Sequence, residues 1–599
     1  MSGDGGAAPR NRDSGPSYLC LSVSICGLNG TVALEGRCVL FRDRARAFLG
    51  QPRLDRAGRP GISSGPVKCS FALLLGCLTA LIVLPIQAET YDVVIVHGRV
   101  VDGTGNPAFF ADVGIRNGRV VKIGAVSGKA RRQIDAQGMI VAPGFIDVHT
   151  HADDVARMPR AENFVRMGVT TLVAGNCGGS TLDMAQFFRE IEHTNVAVNV
   201  ATLVGHNSVR RKAMGGDFDR VPTAEELDRM RALVRRAMQE GAVGLSTGLI
   251  YQPGVFSHTD EIVELAKVAA AYDGIYTSHM RYEDAQIYQA LDEVFAVARG
   301  AHIRAEVSHI KLSGPKAWGQ ADRVLAYIEK ARAEGLDITQ DQYAYTASST
   351  GLSQLIPEKA LEGGKEQFQR RMADPDQKAA IAAEMKRNVL AKGRGDYSYA
   401  VIASCTADPS LDGLSVAAAA KAKRGSDSLD DQIELVLGIQ AKGGASAVFH
   451  GMNEEDLRTF MRHPNTMIAC DSGVRQFGEG VPHPRGYGNN ARVLGRYVRE
   501  LHVLRLEDAI RKMTSLPAET FHFKNRGELR EGNWADIVVF DPDRVLDTAT
   551  YESPHHYPVG IPYVLVNGVV VINNGEHTGA KAGRALRHTC ETPREAGQS

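Results

Sequence analysis

Two histidines separated by one threonine, His149 and His151, close the apolar run of GFIDVHTHAD. On a β-strand residues two apart share a face, so both imidazoles aim at one point. The same design recurs along the chain. Cys177 follows TTLVAGN, His279 follows GIYTS, His309 follows IRAEVS and Asp471 follows TMIAC. Four imidazoles, a thiol and a carboxylate are the nitrogen, sulfur and oxygen donors that zinc accepts. The His-x-His pair alone is moderately specific; five separate runs ending in such groups are far more so.

Something must bring these ends together. Strand-like apolar runs occupy 140–149, 170–177, 198–205, 241–247, 274–279, 303–309, 336–342 and 466–471, with helical patterns between them. One such helix, 223–240, opens on a Thr cap and stops at Gly241. Eight parallel βα units predict a closed (β/α)8 barrel of the TIM type, in the α/β class. Chemistry in such a barrel gathers at the C-terminal strand ends, where all six donors fall.

The spacing also divides the chain. Short β-branched runs broken by Gly turns at 89–142 and 516–575 predict a small β domain built from both ends. The barrel is then 143–349 plus 446–515. The long interval before the eighth strand, 350–445, carries charged helical sequence at 360–392 and reads as an insertion that forms a lid or pocket wall. Residues 576–599 read as a loose tail.

Lys and Arg number 69, as do Asp and Glu. No net field gathers nucleic acid or an anionic membrane, so the expected partner is a small molecule. Five of the nine cysteines precede residue 89, a scatter that is not a disulfide framework. Residues 67–88 have the lysine, apolar core and Ile-Gln-Ala end of a signal peptide, too short for a membrane span. This predicts a periplasmic or secreted protein with no stable span in its mature form. Residues 1–66, rich in Gly, Arg, Ser and Pro, are expected to be disordered or a mis-assigned start.

The motifs PGFIDVHTHAD, GNCG (175–178), SHMRYE (278–283), SHIK (308–311), CDSG (470–473) and HPR (483–485) together resemble the D-aminoacylases, or N-acyl-D-amino-acid deacylases, of the amidohydrolase superfamily. The resemblance runs from about Tyr91 to about Gly575. Many members of that superfamily bridge two metals with a carboxylated lysine on strand four. GAVGLSTGLIYQPG has no lysine, and the resemblance gives the bridging place to Cys177.

It implies a tight zinc held by Cys177, His279 and His309, and a second, weaker site from His149 and His151 sharing Cys177. It makes Asp471 the general acid/base for a metal-activated water. Lys311 and Arg485 would hold the α-carboxylate of an N-acyl amino acid, with Tyr251 lining the pocket and Arg281 assisting. His206 is assigned to packing. The implied reaction is hydrolysis of the amide of N-acyl-D-amino acids. Competing readings are a cyclic amidohydrolase of the dihydroorotase or hydantoinase kind, a barrel used only for binding, and a Cys177-nucleophile hydrolase. The zinc reading requires the 177 thiol to lie within about 5 Å of the 279 and 309 imidazoles.

Overall fold

The computed structural model describes residues 90–589. The expectations for 1–66, for the export segment 67–88 and for the last ten residues of the tail lie outside that range.

Strands β1 (Thr90–Val100), β2 (Phe109–Arg116), β3 (Arg119–Gly124), β4 (Lys129–Asp135) and β5 (Ile140–Pro143) begin a nine-stranded sheet. The sequence run 140–149 does not form one barrel strand. It splits at Gly144, where a Cβ would stand 2.3 Å from Thr170 Cγ2, so only glycine lets the chain pass so close. Ahead of the break β5 serves the small sheet; behind it β6 (Phe145–Asp147) starts the barrel.

The barrel continues through β7 (Val169–Ala174), β8 (Asn199–Thr202) with its continuation β9 (Val204–Gly205), β10 (Gly244–Gly248), β11 (Ile275–His279), β12 (Ala305–Val307) and β13 (Ile338–Gln342). Neighbours along this series pair in parallel. Helices cover the outside. Ala224–Gln239 starts at a capping box in which the Thr223 and Glu226 side chains each accept from the other's backbone N–H, satisfying donors left free at a helix start.

After β13 the chain leaves the barrel. Strands β14 (Ala347–Gly351), β15 (Ala400–Ser404) and β16 (Ser446–His450) form a separate antiparallel sheet in the order β14-β16-β15. Helices such as Pro375–Ala391 and Leu429–Ala441 pack on it around Leu352, Phe368, Met385, Ile402, Val436 and Phe449. The helical sequence expected over 360–392 is divided at Asp374-Pro375, where Asp374 caps and Pro375 takes the first helical position. Ala347 pairs with His450, so the insertion spans 347–450, wider than the 350–445 expected.

Strand β17 (Thr466–Ile468) pairs with β13 and is the eighth stave. The ring closes beyond it. Asp471 N donates to His149 O at 2.9 Å and His151 N donates to Ser472 O at 2.9 Å, joining the extension of the last strand to that of the first.

Strands β18 (Ile537–Phe540), β19 (Tyr563–Val566), β20 (Val569–Asn573) and β21 (Glu576–His577) complete the small sheet, with β18 antiparallel to β5. Two boundaries differ from expectation. The helix Ser515–Thr520 does not join this sheet: Leu516, Ala518 and Phe521 pack on Ile146, Val173, Ala201, Ile275 and Met467 inside the barrel. Burying a Leu or Phe side chain contributes about 1.5–3 kcal/mol, which outweighs the strand-like context. The tail is not loose through residue 588, because Leu586 N donates to Val200 O at 2.8 Å and His588 N to Gly241 O at 2.9 Å. Among the described residues no helix is long and apolar enough to cross a membrane.

Candidate metal centre

The C-terminal ends of the barrel strands place the six donors in one mouth. Cys177 lies just past β7 in a turn whose backbone Ser246 pins, accepting from Gly178 N at 3.1 Å and donating to Gly175 O at 2.5 Å. A Cβ on Gly178 would meet Asn207 Oδ1 at 2.1 Å, which fixes glycine beside the thiol. Cys177, His309 and Asp471 have φ of +54°, +37° and +50°, a left-handed region that non-glycine residues rarely enter. Each strand therefore ends abruptly at its donor, and that turn is an outlier of the kind found at functional sites.

Cys177 Sγ is 3.5 Å from His279 Nδ1, 3.7 Å from His309 Nε2 and 3.3 Å from His149 Nε2. Zinc–sulfur and zinc–nitrogen bonds of about 2.3 and 2.0–2.1 Å at tetrahedral angles set sulfur and nitrogen ~3.6 Å apart. The spacing of Cys177, His279 and His309 thus fits one zinc. His149, His151 and Cys177 form a second triad, and His149, His309 and Asp471 a third, each with ligand atoms within 4.8 Å of one another.

The remaining ring nitrogens are held from behind. His149 Nδ1 is 3.1 Å from Asp341 Oδ2, and His309 Nδ1 is 2.9 Å from Glu283 Oε1. Such carboxylates fix a ligand's tautomer and raise its basicity. Burial disfavours a charged Cys177, yet the charge of His149 holds the thiol well below its ordinary range, as a thiolate ligand requires. Burial and His309 lower the pKa of His279, favouring its neutral, ligating form.

Asp471 faces the same space, with Oδ1 3.1 Å from His151 Nε2 and 3.7 Å from His149 Nε2. Burial opposes its charge, but Arg485 and His149 keep it well below the usual carboxylate range, so it is available as a proton acceptor. Arg485 donates to Asp471 Oδ2 at 3.0 Å and stacks 4.5 Å over Tyr343. Its Nε and Nη1 are buried without a partner among the described residues. Tyr251 sits with its ring 4.8 Å from that of His279 and its hydroxyl 2.9 Å from Thr350 Oγ1 on β14.

Two residues sit differently from expectation. Lys311 is buried behind His309, its Nζ 2.5 Å from Glu283 Oε1 and 2.7 Å from His309 Nδ1, so its charge is already matched and it backs a ligand. Arg281 is spent on Glu293, at 3.0 Å through both Nε and Nη2, and on the carbonyls of Val255 and Ser257. It clamps the loop. His206 pairs with Glu261 at 2.8 Å, in the packing position assigned to it.

Sequence reasoning missed Asp341, Glu283 and Asp147. Asp147 accepts from His149 N at 3.2 Å and Cys470 N at 3.0 Å, tying the first strand to the last, and burial pushes its pKa up to about 7. The acids of HMRYE and ITQDQ stand at or just beyond strand ends, but nothing in the pattern singles them out from other polar residues there.

The amidohydrolase family model matches residues 132–572. N-acyl-D-glutamate deacylase of Alcaligenes xylosoxydans xylosoxydans is 38% identical over 523 residues, 83% of this chain and 97% of that protein. D-aminoacylase of the same organism is 35% identical over 528 residues, 84% of this chain and 99% of that one. The crystal structure of N-acyl-D-glutamate deacylase from Bordetella bronchiseptica, complexed with zinc and a phosphonate mimic of the tetrahedral intermediate, matches with a TM-score of 0.72 at 35% identity, over 83% of this chain and 100% of that one. With a lysine-free fourth strand and a cysteine among its candidate metal donors, the chain belongs to the amidohydrolase family, in its D-aminoacylase group.

Proposed function

We propose that this enzyme is a zinc-dependent hydrolase that cleaves the amide of N-acyl-D-amino acids to a carboxylate and a free D-amino acid. The observation that carries the reading is the convergence of Cys177, His279 and His309 at zinc-ligand spacing beside the ionised Asp471. Stereochemistry rests on the relatives, which are deacylases of D-amino acid derivatives.

Bound zinc would supply a Lewis acid for the amide carbonyl and lower the pKa of water toward about 7. Cys177, His279 and His309 would hold it, while Glu283 and Asp341 set the orientation of His309 and His149. Asp471 takes the proton of the attacking water at Oδ1 and passes it to the amide nitrogen as the C–N bond breaks, so the amine leaves, the acyl group departs as a carboxylate and Asp471 is ionised again. The unpartnered Nε and Nη1 of Arg485 receive the substrate's α-carboxylate. Tyr251 ties the mouth to the insertion through Thr350, and the insertion forms that wall of the pocket. The 67–88 segment supports export to the periplasm or beyond; the mature N-terminus, read by mass spectrometry after cell fractionation, tests it.

The test of function is a panel of N-acetyl-D- and N-acetyl-L-amino acids beside hydantoin and dihydroorotate, with metal analysis of the same preparation. D-isomers are expected to turn over, activity to vanish on chelation and to return with zinc. Turnover that survives chelation, or confined to the cyclic substrates, would sink the reading.

A further inference from the structure

The HPR segment carries a second buried side chain that the reaction leaves unused. His483 is 1% exposed and stands two residues before Arg485, which opens the helix Arg485–Arg492. Its Nδ1 accepts from Arg485 N at 3.0 Å and its Nε2 donates to Ala347 O at 2.9 Å. A backbone N–H only donates and a carbonyl only accepts, so these partners fix a neutral ring with its proton on Nε2. Burial and the charge of Arg485 hold the pKa of His483 well below the ordinary histidine range, in keeping with that form. The rings of Tyr345 and Tyr551 pack edge-on against it at 5.3 and 5.2 Å. Packing alone asks only for a flat apolar ring among those tyrosines; the two bonds ask for an acceptor and a donor on different edges of one ring.

The two bonds join different parts of the fold. Ala347 opens β14, an edge strand of the insertion sheet, and an edge strand has carbonyls that no neighbouring strand uses. Ser349 O, two residues along, accepts from Arg485 Nη2 at 3.3 Å. Arg485 is therefore tied to β14 twice, by its backbone through His483 and by its guanidinium directly. The same Nη2 meets Asp471 Oδ2 at 3.0 Å. With Nη2 shared between the insertion and Asp471, Nε and Nη1 are the donors left over.

We propose that His483 is a positioning residue for the hydrolysis: by tying Arg485 N to the insertion strand it sets the guanidinium against Asp471 and keeps Nε and Nη1 free for the substrate's α-carboxylate. The insertion then does more than wall the pocket, because its first strand places the carboxylate-binding group. This rests on the deacylase reading above and adds a residue to it.

The experiment measures kcat and KM for the best substrate of the panel above with wild type, H483F, H483N, H483Q, R485M and the H483F/R485M double variant, zinc content and Tm being checked for each. H483F keeps a flat ring and removes both bonds. Its KM is expected to rise about 10- to 100-fold, the scale of leaving a buried donor unsatisfied, while kcat falls less and zinc content is unchanged. H483N places an oxygen where Nδ1 accepts and should recover much of the KM. H483Q, which reaches toward Ala347 O instead, should recover less. In the R485M background H483F should change kcat/KM less than about twofold, because residues acting as a unit do not add. An H483F that costs the same factor with and without Arg485, or three His483 variants whose losses follow Tm alone, would overturn the proposal and leave the deacylase reading intact. A zinc-loaded wild type that turns over no N-acyl-D-amino acid removes the deacylase reading, and this inference with it.

Discussion

On one wall of the mouth Cys177, His279 and His309 are at most 9% exposed, and His309 is backed by the Glu283–Lys311 pair. On the facing wall the His151 side chain is 44% exposed, and Asp471 divides its oxygens between the histidines and Arg485. Buried charges are tolerated only when paired and hydrogen-bonded, and the first wall meets that condition at His309, whose second ring nitrogen lies 2.9 Å from Glu283. It is built to keep a metal. The second wall has the acceptor and the solvent access that a reaction with water needs.

The difference is broken most severely from the first wall. Cys177→Ala removes the sulfur that the His149–His151 triad shares with the His279–His309 triad. Zinc content should fall below one per chain, and kcat/KM by about 10⁴-fold or more, since Lewis-acid stabilisation is worth several kcal/mol. Near-stoichiometric zinc in that variant, by elemental analysis, would mean the wall does not depend on the thiol.

Next in size is the acceptor opposite. Asp471→Asn keeps the shape but cannot take a proton. It should retain the tight zinc while kcat drops about 10²- to 10⁴-fold, the range for losing a general base. The pairing of full metal with lost turnover distinguishes the two walls; lost metal would merge them.

These two tests concern residues that could be found from the sequence, and the reason is physical. A donor that ends an apolar strand interrupts a pattern, so His149, Cys177, His279, His309 and Asp471 stood out together, through the agreement of five strand ends. The residues behind them do not. Asp341 lies 192 positions from the His149 it hydrogen-bonds, inside a polar stretch with no break. Lys311 looked free because Glu283, which neutralises it, sits on another loop. All eight barrel strands could be located, yet the split of 140–149 could not, because apolar residues continue on both sides of Gly144. The tail through His588 docks by backbone hydrogen bonds, which composition does not record.

A missed residue supplies a third, smaller test. Glu283→Gln should weaken zinc binding about 10- to 100-fold, the usual effect of removing a carboxylate that orients a histidine ligand. It also leaves Lys311 buried without its counter-charge, which costs about 3–5 kcal/mol of stability. Glu283→Gln with Lys311→Met removes both charges and should recover much of the stability without recovering the zinc affinity. Chelator competition and chemical denaturation separate the two effects. If the double variant binds zinc as wild type does, the carboxylate acts only as a partner for the lysine.

The smallest expected effect probes the open wall. His151 gives Asp471 one hydrogen bond of 3.1 Å from a half-exposed ring. A hydrogen bond to a charged group is worth about 1.5–3 kcal/mol, and exposure to water takes it toward the lower end. His151→Ala should therefore lower kcat by about tenfold, far less than Asp471→Asn, because Arg485 still holds the carboxylate ionised and in place. The tight zinc should remain, since none of its three candidate ligands contacts the deleted ring as a necessary partner, whereas any second, weaker zinc should no longer bind. A titration of the zinc-free variant that shows one binding event where wild type shows two would separate the walls at the level of the metal. Loss of all zinc on deleting His151 would show instead that the exposed imidazole helps to close the first site, and that the two walls form a single cage.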